Sequence, residues 1–350
     1  MTRSRRIDLI RVRGSHGDVG RQIGEACREA IRAEIASEGD PPDGRTRDQQ
    51  LALASKYRAA TVSAIPWVVD ELDGAAEAAG VNPLDMFAES VEEIWYSQRT
   101  PAHARACSDL AAGRPASANG HVLVGHNNDL SRDTEERIVA VERDIPGYPL
   151  TLTIGVGPWP SVGWNDSGIS FTGNELSPND EQVGIPRLLQ FRAMLSAHTP
   201  EEATALALHS GRASSYNNLV ANDGGTIVNI EGSATDAELT APSERGTLAH
   251  TNHYTCDRML AFEGDPDYAT RSEVRLNRAR QLLDDAGPGS IDESSLRTML
   301  SDHENAPDSI CRHEGDSQTV FWCVADVTDM RITYGRGNPC GSEASIYSFS

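Results

Sequence analysis

The feature that most constrains this chain is a change of period near residue 106. Before it, apolar residues recur at helical spacing; from Cys107 onward, short apolar runs alternate with turn residues. Helix-type periodicity followed by strands, helices, strands, helices and strands points to stacked sheets with helices outside them, an α+β or layered architecture. Many of the connections are too short to hold a crossover helix, which favours antiparallel pairing.

In the first part, Val19, Ile23, Ala26, Cys27, Ala30, Ile31 and Ile35 predict a helix over Gly14 to Ala36. A second helix is expected from Gln49 to Ala79. A third is expected from Asn82 to Tyr96, with Asn82 as cap and Pro83 in the first turn. The stretch from Glu38 to Gly44 reads as a polar loop. In the second part, strands are expected at 107–110, 120–127, 137–141, 148–154, 161–164 and 168–173. Helices follow at 186–196 and 200–208, then strands at 217–221, 226–231, 237–239 and 247–252. Helices at 271–283 and 292–302 precede a closing hairpin, 319–326 with 330–334. There is no internal repeat and no long linker, so residues 1–106 and 107–350 read as parts of one compact unit.

Composition narrows the function. A formal net charge of −21 argues against a nucleic-acid partner, because most of the surface would repel phosphate. No apolar run approaches the roughly 20 residues that cross a bilayer. The N-terminal arginines are not followed by an apolar stretch of signal-peptide length, so a cytoplasmic location is expected. Lys56 is the sole lysine, a bias that fits a high-GC genome and a salt-adapted host. Loss of structure only at low salt is what that idea requires.

The six cysteines, Cys27, Cys107, Cys256, Cys311, Cys323 and Cys340, contain no C-x-x-C pair. Neither a zinc ribbon nor a redox motif is visible, and most of them read as buried or idle thiols, Cys311 as core packing. His250 and His253 stand three apart on an expected strand and would point to opposite faces, which suits no shared metal. His303, His313 and the acids near them leave a surface metal site open, but no metal is assigned. Gly224-Gly225 and the pair Gly155 and Gly157 read as turns, without a dinucleotide or P-loop pattern, so no cofactor is expected. A serine hydrolase would need G-x-S-x-G, which is missing.

The informative boundary is His103-Ala104-Arg105-Ala106-Cys107-Ser108-Asp109-Leu110, followed by Asn119-Gly120 and then Gly125-His126-Asn127-Asn128-Asp129. Singly these pieces are ordinary: a core thiol, a hairpin turn, and an aspartate capping a turn. Further on come Val162-Gly163-Trp164-Asn165 through Gly173-Asn174, then His250-Thr251-Asn252-His253-Tyr254, and finally Asp302-His303 with Ser309-Ile310-Cys311-Arg312. His16 to Gly24 adds a G-x-x-x-G opening. The ordered set resembles the acyl-CoA:6-aminopenicillanic acid acyltransferase family of N-terminal-nucleophile (Ntn) hydrolases, related to the choloylglycine hydrolases.

That resemblance implies a four-layer αββα sandwich with a helical N-terminal segment, and self-cleavage between Ala106 and Cys107. Residues 1–106 would become a small subunit that stays associated with 107–350. The α-amine freed on Cys107 would act as base for its own thiol, a role an amide nitrogen cannot fill. By the same match Asp129 would hold the amine and orient the thiol. Asn252 would donate to the oxyanion, and Asn174 would contact the acyl carbonyl. His126 falls at a substrate-binding position where the relatives carry arginine or glutamine, and Arg312 is a further substrate or scaffold contact. The implied partner is a small acyl-amide substrate, with acyl-CoA as a possible donor. The reaction is then hydrolysis of an N-acyl amino acid, peptide or amine. Acyl transfer, or an uncleaved binding protein of the same fold, stands as the alternative.

Overall fold

The computed structural model describes residues 6–36, 44–96, 105–315 and 317–349. Residues 37–43, most of the expected polar loop, and His103 and Ala104 of the boundary segment lie outside them.

The chain opens with a strand, β1 (Asp8–Arg13), that the sequence alone does not reveal. Its apolar residues alternate with charged ones over too short a stretch to stand out from an arginine-rich tail. It pairs in parallel with β4 (Ile138–Asp144), so the N-terminal segment is not wholly helical. The expected helix over 14–36 divides at Cys27 into α1 (His16–Ala26) and α2 (Arg28–Ala36). Ser15 caps α1 in a reciprocal capping box with Asp18. The expected helix over 49–79 also divides, into α3 (Arg47–Ala64) and α4 (Pro66–Ala79). Pro66 forces this break, since a proline restricts the residue before it to non-helical backbone, and Ile65 adopts φ −138°. Asn82 caps α5 (Pro83–Glu89) as expected, its side chain accepting from Leu84 N at 2.8 Å, and α6 (Glu92–Tyr96) follows.

The G-x-x-x-G pattern has a packing reason. A Cβ on Gly20 would come 2.0 Å from Glu71 O, and one on Gly24 2.3 Å from Ala75 O. Helices α1 and α4 therefore cross at backbone contact, where only glycine fits.

The strands form two sheets. The first adds β5 (Thr151–Val156), β6 (Trp159–Asn165), β7 (Ile169–Asn174), β8 (Asn217–Asn222), β9 (Ile227–Gly232) and β10 (Ala237–Thr240), in the order β1-β4-β5-β6-β7-β8-β9-β10. The second contains β2 (Ala106–Ala112), β3 (Leu123–Leu130), β11 (Thr247–His250), β12 (Gln318–Asp326), β13 (Arg331–Arg336) and β14 (Ser345–Ser348). Its order is β11-β2-β3-β12-β13-β14, and every pair is antiparallel. The short edge strand β14 is an addition to the expected set, and β11 ends at His250 rather than at the expected Asn252.

Three interfaces make the layers. Ala111, Val124, Val162, Trp164, Leu219, Phe321 and Cys323 fill the space between the sheets. The outer face of the eight-stranded sheet carries α1 to α6 over Val12, Val141 and Trp159. The same face carries α7 (Arg187–Met194) and α8 (Pro200–Ala207) over Phe171 and Val220. On the other side α9 (Pro266–Asp285) and α10 (Glu293–Leu300) cover Leu110, Leu123, Trp322 and Val324. The result is an α+β sandwich of helices, sheet, sheet and helices, as the sequence led us to expect. Among the described residues no helix is long and apolar enough to cross a membrane.

A buried ion cluster ties the helical layer together. Glu71 on α4 receives Arg192 Nε at 3.0 Å on one carboxylate oxygen and Arg192 Nη2 at 2.5 Å on the other, with His16 Nδ1 at 2.8 Å. Burial opposes its ionisation, but Arg192, His16 and Arg143 outweigh that and hold its pKa at about 2.

Candidate active site

Strand β2 begins at Ala106, so Cys107 lies inside the strand rather than before it. Cys107 pairs with Asn128 and Ala106 pairs with Asp129. Side-chain alternation therefore puts Cys107, Asp109, His126 and Asn128 on the face that looks to the other sheet. Asn127 and Asp129 fall on the opposite face, towards α9 and α10. Asn127 Nδ2 accordingly donates to the Leu300 and Ile310 carbonyls at 2.8 and 2.9 Å.

Asn252, just beyond β11, clasps Cys107 twice. Its Oδ1 accepts from Cys107 N at 2.8 Å, and its Nδ2 donates to Cys107 Sγ at 3.2 Å and to Glu175 O at 3.1 Å. Arg275 Nη2, reaching in from α9, donates to the same Oδ1 at 2.7 Å, and Ser272 Oγ accepts from Asn252 N at 2.6 Å. Two donors on Oδ1 fix which way the amide faces, so the N–H is the group presented to sulfur.

Asn174 ends β7 close to the same thiol. Its Oδ1 accepts from Asn217 Nδ2 at 3.1 Å and meets His250 Nδ1 at 3.0 Å. His250 Nε2 meets Glu231 Oε1 at 3.0 Å. Burial works against an ionised Glu231, yet His250, Thr255 and the Cys256 N–H bring its pKa down to about 2. Asn174 Nδ2 is buried, and the group it bears on is the Cys107 thiol.

Burial pushes the Cys107 thiol up to about 12, against the pull of the Asn252 side chain, the Glu175 backbone and Asn174. The thiol is thus protonated near neutral pH while residue 107 sits within an intact chain, and attack by sulfur needs a base.

On the far face Asp129 accepts from Thr319 Oγ1 at 2.7 Å, and its other oxygen has no partner among the described residues. Burial raises its pKa, opposed by Arg312 and Arg275. Arg312 is buried beside Asp129, and its Nε is also unpartnered among the described residues. His126 is fully buried, with Nδ1 2.7 Å from Asp109 Oδ1 and Nε2 3.3 Å from Asn128 Nδ2. Both ring nitrogens are engaged by the protein, which leaves no free edge for a ligand. His250 and His253 go separate ways, His253 Nδ1 lying 2.8 Å from Ser272 Oγ.

The structure thus brings Cys107, Asn252 and Asn174 together on one face and Asp129 with Arg312 on the other. Arg275, His250, Glu231 and Tyr268 complete the surroundings, and sequence reasoning misses them. Tyr268 donates to the Arg105 carbonyl, one residue before Ala106. His250 stands in one of the motifs above, where its spacing from His253 speaks only to metal binding. Nothing marks Arg275 among the chain's 31 basic residues until α9 docks on the sheet.

No curated protein matches the sequence. Among solved structures the chain is similar to penicillin V acylase from Agrobacterium tumefaciens, at 14% identity and TM-score 0.48 over 69% of this chain and 86% of that one. It is also similar to a Caenorhabditis elegans ortholog of N-acylethanolamine-hydrolyzing acid amidase, at 17% identity and TM-score 0.46 over 63% and 93%. Residues 116–340, which hold His126, Asp129, Asn174, Asn252 and Arg312, match the family described as acyl-coenzyme A:6-aminopenicillanic acid acyl-transferase. That match spans more than half of the sequence, and the chain belongs to the acyl-coenzyme A:6-aminopenicillanic acid acyl-transferase family.

Proposed function

We propose that the chain is a self-processing Ntn-type amidohydrolase whose nucleophile is Cys107, acting on the amide bond of an N-acyl amino acid, peptide or amine. The observation that carries the reading is the double clasp of Asn252 on the backbone nitrogen and the sulfur of Cys107. One side chain holds the two atoms that an N-terminal nucleophile must keep in register.

In the processing step Cys107 Sγ attacks the Ala106 carbonyl carbon. The C–N bond breaks as the C–S bond forms, and the thiol proton ends on the departing nitrogen. Water then hydrolyses the thioester, giving an Ala106 carboxylate and a Cys107 with free amine and thiol. An α-amine has a pKa near ~8, so a neutral fraction can take the proton of a thiol that burial keeps protonated. Asp129, paired with Ala106 in the ladder, lies behind the sheet while the thiol projects in front, and in this reading it holds the freed amine.

In turnover the thiolate attacks the substrate carbonyl, the amine product leaves, and water releases the acid. Asn252 Nδ2 and Asn174 Nδ2, both turned towards the thiol, are the donors to the oxyanion in this reading; one such donor is worth about 3 kcal/mol in the transition state. Arg312 and His126 act through Asp129 and Asp109 rather than by touching substrate. Acyl transfer to an amine, with acyl-CoA as donor, uses the same thioester. The family's description favours it as the second reading. Residues 1–106 remain docked through the β1–β4 pairing, the helical layer over Val141 and Trp159 and the Glu71–Arg192 ion pair, and a cytoplasmic location accompanies the reading.

Intact mass after expression tests it. Two species of about one third and two thirds of the chain are expected, with an acyl probe bound to the larger one. A single uncleaved species that resists acylation would sink the proposal and leave the binding-protein alternative.

A further inference from the structure

Away from the Cys107 site, four ligand-type side chains converge from three places in the sequence. His303 follows α10, Cys311 and His313 lie on the segment that leads to β12, and Cys340 follows β13. Their donor atoms all lie within 4.8 Å of one another. Cys311 Sγ is 3.8 Å from Cys340 Sγ and 3.6 Å from His313 Nε2. Cys340 Sγ is 3.3 Å from His313 Nε2, and the two imidazole Nε2 atoms are 3.0 Å apart.

These separations are close to the edges of one coordination polyhedron. With Zn–S about 2.3 Å and Zn–N about 2.0–2.1 Å, a tetrahedron has edges of about 3.8 Å for S–S, about 3.6 Å for S–N and about 3.3–3.4 Å for N–N. A Cys311–Cys340 disulfide fits less well, since an S–S bond is about 2.05 Å and it would leave both histidines unused. We propose that His303, Cys311, His313 and Cys340 form a structural Zn(II) site of the Cys2His2 type.

Chemistry selects the ion. Two thiolates and two imidazoles in tetrahedral disposition suit zinc over calcium or magnesium, which prefer oxygen donors. Four protein ligands leave no open position, which makes the site structural rather than catalytic. An outer shell is present: Asn338 Nδ2 approaches Cys311 Sγ at 3.5 Å and donates to Arg312 O at 2.7 Å. Cys311 N donates to Asp302 O at 2.9 Å, and Arg278 holds the Asp302 carboxylate at 3.0 and 2.6 Å.

The site has a consequence for the rest of the molecule. Arg312 sits between two of the ligands, and its backbone N donates to Thr319 Oγ1 at 3.0 Å, the hydroxyl that donates to Asp129 at 2.7 Å. Zinc would clamp this segment to the turn after β13 and so hold Arg312 against Asp129. The metal site stands on its own geometry and would exist whether or not Cys107 is a nucleophile.

The test is metal content of the full chain, purified under reducing conditions from zinc-supplemented culture. About one zinc per chain is expected, removable by a strong chelator with a fall in melting temperature. Replacement by Co(II) should give the intense visible bands of a tetrahedral ion together with thiolate-to-cobalt charge transfer. Cys340→Ser and His303→Ala change exposed residues, and each should lower bound zinc at least tenfold while circular dichroism shows a folded chain. Three results would overturn the inference. One is wild-type chain that binds neither ion after reduction; another is full metal retention in the Cys340→Ser/His303→Ala double variant. The third is a mass two hydrogens light, with Cys311 and Cys340 joined in a disulfide.

Discussion

The Glu71 cluster in the helical layer and the Cys107 cluster on the six-stranded sheet are both buried, polar and held by arginine. Around Glu71 each carboxylate oxygen has a partner and the charge of Arg192 is matched, while His16 Nε2 and Arg143 Nε have no partner among the described residues. In the Cys107 strands and behind them, one oxygen of Asp129, Nε of Arg312 and two nitrogens of Arg275 have no partner among the described residues. The contrast lies in the carboxylates: both oxygens of Glu71 are satisfied, whereas one oxygen of the buried Asp129 is not, and a buried acceptor left unmade costs stability. That difference is what singles out Asp129 and its neighbours as part of a candidate site.

The comparison can be broken by experiment. Cys107→Ala should abolish both fragment formation and acylation, read by intact mass, while urea unfolding of the uncut chain changes by no more than about 1 kcal/mol. Glu71→Ala should strand a buried Arg192 and cost about 3–5 kcal/mol in the same unfolding assay. Turnover per folded molecule should hold; a loss of turnover without a loss of stability would erase the distinction drawn above.

Asn252→Ala comes next. It should lower turnover of processed enzyme by ~10²–10³, about 3 kcal/mol, measured as kcat on an N-acyl substrate. Preserved turnover would remove Asn252 from the oxyanion role.

Acid should then strike the site's own surroundings. Burial lowers the pKa of His253 to about 4, so its contribution is complete above ~6.5 and fades as pH falls towards 4. Glu231 is held at about 2, so its contribution is present above ~4.5 and is lost as pH falls further. Unfolding free energy should therefore decline in two stages below neutrality, each tenfold change in proton affinity on folding being worth about 1.4 kcal/mol at most. The first stage should vanish in His253→Asn. The smallest effect belongs to the half-exposed pair of Arg58 and Asp73, 2.5 Å apart, where Arg58→Ala should cost under about 1 kcal/mol.

Much of this molecule is legible in the unfolded chain. The period change at residue 106 locates β2, short apolar runs punctuated by turn residues locate β3 to β9, and Asn82-Pro83 places the start of α5. The break at Cys27 is hard to see because the apolar spacing runs on through it, whereas Pro66 marks the one at Ile65, which a reading by apolar spacing alone passes over. β1 and β14 escape because edge strands bury little and carry a weak alternation signal. The site follows the same rule. Cys107, Asn174 and Asn252 stand out through an ordered resemblance, while Arg275 and Glu231 do not.

What the sequence determined by itself is the local part of the answer: which stretches are helix or strand, where glycine must let α1 approach α4, and which residues follow one another in family order. The tertiary structure decided which of these residues meet. Asp129 is on the face away from the Cys107 thiol because strand register assigns faces by parity. His126 is locked between Asp109 and Asn128 by the same parity. The four metal-type ligands gather only because β13 runs alongside β12 and brings Cys340 back to Cys311. Periodicity is a property of neighbours in sequence, and the chemistry here is made by residues that only the packing of four layers makes neighbours.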